Sequence, residues 1–409
     1  MPHDKLVEGL GRALGDIDRA GTGKRDESVI AGFVPGDGTH GPRYLLEGHG
    51  DTPFLRMNAN SYLGLSLRER LIDSEDEAVH RYGTGPGAVR FISGTWAPHR
   101  HLEERIAAFH GREAAMIYSS AYATVMGVLP QLITGETAVI SDALNHNSII
   151  NAIRLARPKE KAVYAHLDME DLDRKLAAAA KGDCKRAIVV TDGIFSMRGD
   201  HAPLDEIMRL AEHYDGDFAE NVLVVVDDSH GVGAFGTRGR GVEEFTLSPP
   251  VDILIATLGK AFGVNGGYVT AGRTIIDYLR ETSPFYIYSN PITPGEAAAA
   301  HTALDLVDSP RGLNLLDRLR RRTAQLKAGF VALGWETIPG EHPVAPLLVH
   351  DTRRTMALVE HLREHRILAT GLGYPVVPRG DEEIRFQVSA DHTEADIEQA
   401  LDAVRQFSG

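Results

Sequence analysis

Seven apolar, β-branched runs separated by helical stretches constrain this chain more than any other feature of it. The runs cover 114–120, 138–142, 162–167, 187–192, 222–228, 253–258 and 268–272. Amphipathic stretches such as 168–180 and 204–214 lie between most of them. Strands that read as continuous apolar runs are buried on both faces, and alternation with helices makes a mostly parallel sheet covered on each side. The pattern predicts one large α/β domain over 61–294. Pro291 and Pro294 interrupt it before a helical stretch at 295–307, and a smaller α+β unit is expected from there to 409. Residues 1–60 differ: a charged helical segment is followed by a Gly- and Pro-containing stretch, 32–50, that reads as an arm or extended linker.

Composition narrows the class. A chain of 409 residues with 43% hydrophobic and 24% charged residues has ordinary globular make-up and enough length for more than one domain. The net charge of −14 speaks against nucleic acid or an anionic membrane as the main partner, so any basic site must be local. Cys184 is the sole cysteine, which excludes an intramolecular disulfide and fits a reducing compartment. No apolar signal core and no run of about 18 apolar residues is present, and the expected location is cytoplasmic.

Two strand ends carry the chemistry. The run Asn221-Val-Leu-Val-Val-Val delivers Asp227 at its carboxyl end, where ligands of open α/β sheets gather. A carboxylate there can pair with a pyridinium nitrogen and keep it protonated, and His230 can reach a ring hydroxyl. The run that follows delivers Thr257 and Lys260 to the same edge in Thr257-Leu-Gly-Lys-Ala-Phe-Gly. The threonine hydroxyl suits a phosphate, and the lysine amine suits an aldehyde held as a Schiff base. Alone, an Asp-x-x-His is a turn or cap and a lysine among glycines is a solvated loop residue. Together they point to pyridoxal 5'-phosphate.

The ordered motifs support a resemblance. Asn60-Ser-Tyr-Leu-Gly-Leu, Arg90-Phe-Ile-Ser-Gly-Thr, Ser141-Asp-Ala-Leu-Asn-His-Asn-Ser-Ile-Ile, Thr191-Asp-Gly-Ile-Phe-Ser-Met, Asp227-Asp-Ser-His-Gly-Val-Gly, Thr257 to Gly263 and Tyr374-Pro-Val-Val-Pro-Arg-Gly occur in order between 58 and 393. In them the chain resembles the α-oxoamine synthases, pyridoxal phosphate enzymes of fold type I that join an amino acid to an acyl thioester. Within that family it looks most similar to the glycine C-acetyltransferases (2-amino-3-ketobutyrate CoA ligases). The resemblance implies glycine and acetyl-CoA as substrates. A relative that uses alanine or serine with a longer acyl-CoA or acyl carrier protein thioester is the alternative, and an aminotransferase on the same fold is the other.

The same resemblance implies roles for individual residues. Ala121 and Tyr122 offer backbone N–H groups to the cofactor phosphate at a helix N-terminus, where the dipole favours an anion. His146 stacks on the cofactor ring and touches substrate, Ser196 reaches the cofactor hydroxyl region, and Asp192 is kept outside the cofactor's direct contacts. Arg385 grips the substrate carboxylate, with Asn60 approaching from the N-terminal side. Ser289 and Asn290 contact the phosphate of the neighbouring subunit, which implies a homodimer with shared active sites. Four segments depart from the family pattern: Gly263-Val-Asn-Gly-Gly-Tyr after the lysine, Asp215-Gly-Asp-Phe-Ala-Glu-Asn, Gly83-Thr-Gly-Pro-Gly-Ala-Val-Arg, and the 32–50 arm.

Overall fold

A computed structural model of the chain describes all residues except 1–2, 20–22, 24, 26, 375–376, 378 and 409. Part of the 374–380 motif, Pro375, Val376 and Pro378, therefore lies outside the described residues. Fifteen strands are named in chain order: β1 (Ile30–Val34), β2 (Arg43–Leu46), β3 (Pro53–Arg56), β4 (Ala114–Tyr118), β5 (Thr137–Asp142), β6 (Glu160–Tyr164), β7 (Arg186–Asp192), β8 (Val222–Asp227), β9 (Ile253–Thr257), β10 (Gly267–Ala271), β11 (Glu336–Thr337), β12 (Val344–Leu348), β13 (Ile367–Leu368), β14 (Thr370–Leu372) and β15 (Glu383–Gln387).

The seven apolar runs form one sheet in the order β4-β10-β9-β8-β7-β5-β6. Pairing is parallel from β9 through β6, and β10 is antiparallel to both of its neighbours. The exception has a local cause. Strands β9 and β10 are joined by the short turn 258–266 with no crossover helix, and only an antiparallel pair closes that way. Because side chains alternate across a strand, Ile253 and Ile255 pack with the helices of one face while Leu254 and Ala256 pack with those of the other. The sheet core is therefore double sided, which is why the runs carry no polar alternation.

Outside this sheet the chain forms two smaller ones. Strands β11-β12-β15-β14 make an antiparallel sheet in the C-terminal region, flanked by the helices Pro310–Ala332, Thr352–Glu364 and Glu394–Gln406. The 32–50 stretch is not an extended linker. β1 and β2 form an antiparallel hairpin, β2 pairs with β3, and β3 pairs in parallel with β13, with Leu55 opposite Ile367. Buried Leu46, Phe54 and Leu55 explain the anchoring, since short alternating runs interrupted by glycine hide their strand character in sequence. Packing also crosses residue 294: the helix Pro294–Val307 lies against Glu69–Tyr82 and Ala97–His110. Among the described residues, no helix is long and apolar enough to cross a membrane.

Candidate active site

The carboxyl ends of the parallel strands converge on one cavity. It is lined by Ala121, Tyr122, His146, Ser196, Asp227, His230 and Lys260, all of them expected from sequence, together with Asp192. Lys260 arrives on the turn after β9, and burial pulls its ammonium down to about 8 even though Asp227 and Asp192 favour the charge. Asp227 closes β8 and accepts hydrogen bonds from the backbone N–H and the hydroxyl of Ser229. In register beside it, at the end of β7, stands Asp192, whose carboxyl is pushed well up by burial and by the Asp227 charge.

Two buried neighbouring carboxylates ask for a cation between or above them. Among the described residues Asp227 makes no ion pair, so a protonated ring nitrogen fits the electrostatics of this wall. The opposite end suits a phosphate. Ser120 caps the helix Ala121–Leu132 by accepting from the Ala123 N–H at 3.1 Å, which leaves the N–H groups of Ala121 and Tyr122 at the dipole's positive end. Gly267 permits that placement: a Cβ there would lie 2.3 Å from the Ala121 nitrogen. Phosphate end, aldehyde-binding amine and ring-nitrogen carboxylate thus border a single space, and the residues fit pyridoxal phosphate.

His146 is the N-cap of the helix Asn147–Ala156. Its Nδ1 accepts from the Ser148 N–H at 3.2 Å, and its own backbone N–H donates to Asp192 at 2.9 Å. Burial lowers its pKa, so a neutral ring faces the cavity. Asn145 sets this turn by donating to Ser141 and to the Val190 carbonyl while accepting from the Asp192 N–H at 2.8 Å. His230 is buried, its pKa driven well down by desolvation and by Lys260 and Arg385. Its Nδ1 lies 2.7 Å from the Tyr62 hydroxyl, and its carbonyl accepts from His342 Nε2 at 3.0 Å.

Arg385 on β15 donates through Nε to the Ser196 carbonyl at 2.6 Å, and its terminal nitrogen stands 3.5 Å from Asn60 Oδ1. Gln387 holds the same Asn60 oxygen. The arginine's fork thus retains donors for a carboxylate at the cavity rim. Thr257 lies behind the cavity, its hydroxyl donating to the Gly266 carbonyl at 3.1 Å and accepting from the Gly259 N–H. Ser289 and Asn290 do not line the cavity of this chain; they sit in the loop after the helix Pro284–Ile287.

Sequence reasoning assigned no role to Tyr62, His342, Asn145 or His166. Tyr62 and Asn145 stand inside quoted motifs, and only tertiary packing shows what they touch. His166 bridges Asp142 at 3.0 Å and Asp200 at 3.2 Å, with Arg198 on the same Asp200 oxygen at 2.7 Å.

Residues 52–404 match the family model for class I and II aminotransferases. The chain is 40% identical over 349 residues to an 8-amino-7-oxononanoate synthase of Thermosipho melanesiensis, covering 85% of this chain and 86% of the relative. It is 37% identical over 396 residues to a mitochondrial 2-amino-3-ketobutyrate coenzyme A ligase of Bos taurus, covering 96% of this chain and 90% of the relative. The chain belongs to the α-oxoamine synthases. A serine palmitoyltransferase of Sphingomonas wittichii shares the fold of this α-oxoamine synthase, with a TM-score of 0.85 at 24% identity over 99% of this chain and 96% of that one. The enzyme is pyridoxal phosphate dependent and has the type I fold, a seven-stranded mostly parallel sheet with a smaller C-terminal unit.

Proposed function

We propose that this α-oxoamine synthase condenses alanine with a seven-carbon, carboxyl-terminated acyl thioester, giving 8-amino-7-oxononanoate, carbon dioxide and the free thiol. The observation that carries this reading is the 40% identity to the Thermosipho melanesiensis synthase over 85% of this chain. The atoms balance: the amino acid loses its carboxylate as carbon dioxide, its Cα forms a bond to the thioester carbonyl, and the carbon–sulfur bond breaks.

The chain's own residues supply position and proton transfer. Arg385, steadied by the Ser196 carbonyl and Asn60, binds the amino acid carboxylate and orients the molecule at the cavity rim. Pyridoxal phosphate supplies the electron sink for a carbanion at Cα. Lys260 Nζ, whose pKa burial lowers to about 8, would hold the cofactor through its aldehyde and, when released, would take the Cα proton. With the cofactor bound, Asp227, flanked by Asp192, would pair with its ring nitrogen, His230, its Nδ1 held by Tyr62, would serve the ring hydroxyl, and the His146 ring would cover it. A homodimer in which Ser289 and Asn290 serve the partner's phosphate belongs to the same proposal.

Glycine with acetyl-CoA is the other reading, and the Bos taurus relative favours it by matching over 96% of this chain. Thiol release from the cofactor-loaded enzyme, measured for glycine, alanine and serine against acetyl, heptanedioyl and long-chain acyl thioesters on CoA and on acyl carrier protein, separates the two. The expected maximum is alanine with the heptanedioyl donor. A maximum at glycine with acetyl-CoA rejects the first reading and establishes the second.

A further inference from the structure

His230 lines the cofactor cavity, and behind its ring stands Tyr62, which does not. The phenol is fully buried, its Oη 2.7 Å from His230 Nδ1 and 3.4 Å from Asn60 Oδ1. It is wedged there. The ring of His342 meets the Tyr62 ring edge-on with centroids 5.4 Å apart, and Phe235 backs His342 at 5.7 Å. His342 is itself fixed, because its Nδ1 accepts from the Val344 N–H at 3.2 Å and its Nε2 donates to the His230 carbonyl at 3.0 Å. One buried histidine thus holds both the phenol and the backbone of the residue that the phenol touches.

A phenol carries one proton, and this one has two acceptors within reach. The Asn60 oxygen offers two lone pairs, and Gln387 and Arg385 already bring N–H groups to it. His230 Nδ1 is also the nearer acceptor, so Tyr62 donates to Nδ1 and the imidazole's own proton stands on Nε2. Both rings keep the protonation this requires. Burial pushes the phenol up to about 12, against a downward pull from Arg385. His230 is neutral, driven well down by desolvation and by the groups that face it: Lys260 on the turn after β9, Arg385 on β15, His342 ahead of β12 and His146 at the head of Asn147–Ala156.

We propose that Tyr62 is a positioning residue for the cofactor: by donating to His230 Nδ1 it keeps the imidazole proton on Nε2, the nitrogen left to donate to the ring oxygen of pyridoxal phosphate. The inference rests on the reading above that His230 serves that oxygen. Without the phenol the two neutral tautomers are free to exchange, and the one protonated on Nδ1 turns a lone pair toward an ionised oxygen, which repels it. A fixed N–H instead draws charge off the oxygen and weakens its hold on the proton of the neighbouring Schiff-base nitrogen. Tyr62 thus tunes the cofactor without touching it.

The pH midpoint of the visible absorption change of the cofactor-loaded enzyme tests the assignment without reference to turnover. Tyr62→Phe is expected to raise that midpoint by about one unit, because the oxygen loses its enforced donor. The amino acid KM should stay within about twofold of wild type, since Arg385 and Asn60 keep each other. His230→Leu, which has no donor at all, should raise the midpoint at least as far. A midpoint unmoved by Tyr62→Phe but raised by His230→Leu overturns the proposal and leaves the phenol as packing; a raised KM beside that unmoved midpoint makes it a support for Asn60. A lowered midpoint in Tyr62→Phe also overturns it, because His230 then donates to the phenol in the wild type. A midpoint unmoved in both variants removes the reading of His230 at the ring oxygen, and the proposal with it. Nitrogen NMR of the histidine-labelled wild-type holoenzyme decides the tautomer even if Tyr62→Phe fails to fold: the ring signals absent from His230→Leu are expected to show Nδ1 without a bound proton, and a protonated Nδ1 overturns the assignment.

Discussion

At the scale of single residues, the site works by placing groups where water cannot stabilise their usual charge. Lys260 is held at about 8 because desolvation outweighs two nearby carboxylates. The neutral amine is the form that captures an aldehyde, so the rate at which apoenzyme reloads with pyridoxal phosphate should rise with pH and reach half its maximum near 8. A midpoint near the ordinary lysine value, measured by growth of the visible absorption, would show that the buried geometry is wrong. Lys260→Ala should lose both turnover and that absorption. His166 runs the other way. Burial opposes its charge, but Asp142 and Asp200 together raise it to about 9, with its side chain 17% exposed. A folded pKa above the ordinary histidine value of 6.5 means the stabilisation is complete below about pH 6 and disappears as pH climbs through 9. His166→Asn should therefore cost on the order of 2 kcal/mol at pH 6 by denaturant unfolding, with the gap to wild type closing above pH 9. A gap that is constant with pH would mean His166 acts through packing against Phe195 alone, where the rings stand 4.4 Å apart.

At the scale of elements, the helix Ala121–Leu132 and strand β10 have to meet at backbone distance for the phosphate end to exist. Gly267 is the device that allows it, because any side chain at that position drives into Ser120 and Ala121. Gly267→Ala should raise the dissociation constant for pyridoxal phosphate at least tenfold, read by fluorescence titration of apoenzyme, while apoenzyme stability falls by only about 1–3 kcal/mol. Equal cofactor affinity in the variant would remove the phosphate role from this helix end. The turns after β5 and β7 are coupled in the same way. Asn145 ties them through Val190 and Asp192, and His166 ties them again through Asp142 and Asp200, so His146 and the Ser196 carbonyl are presented as one unit.

At the scale of the whole molecule, the C-terminal unit contributes Arg385 and the N-terminal segment contributes Asn60, while the large domain contributes Tyr62 and the rest. The parallel pairing of β3 with β13 fastens the first of these to the second. Shared sites make a further demand. If Ser289 and Asn290 complete the partner's phosphate site, mixing inactive Lys260→Ala subunits with inactive Ser289→Ala/Asn290→Ala subunits should restore about one quarter of wild-type activity, since random pairing places one intact site in half of the dimers. Activity that stays at the parental background after subunit exchange, or a fully active monomer in sedimentation, would refute the arrangement.

The sequence alone determined the sheet and its cofactor chemistry, because both are written in local pattern. Runs such as 222–227 and 253–257 are apolar on both faces, and that pattern specifies buried parallel strands ending in Asp227 and Thr257, with Lys260 on the turn just beyond, whatever surrounds them. The β10 reversal followed from the length of one turn. Contacts between residues far apart in the chain were decided only by the tertiary structure. Tyr62 meets His230 across 168 positions, and Arg385 meets Ser196 across 189, and no periodicity encodes such pairs. The hairpin of β1 and β2 was hidden for a related reason, since both strands are short, β1 is mostly exposed, and the pair is tied down through β3, which pairs with β13 of the C-terminal unit. Burial completes the division: the sequence singled out Lys260 as the Schiff-base lysine, and only the folded molecule moves its amine to about 8 by taking water away from it.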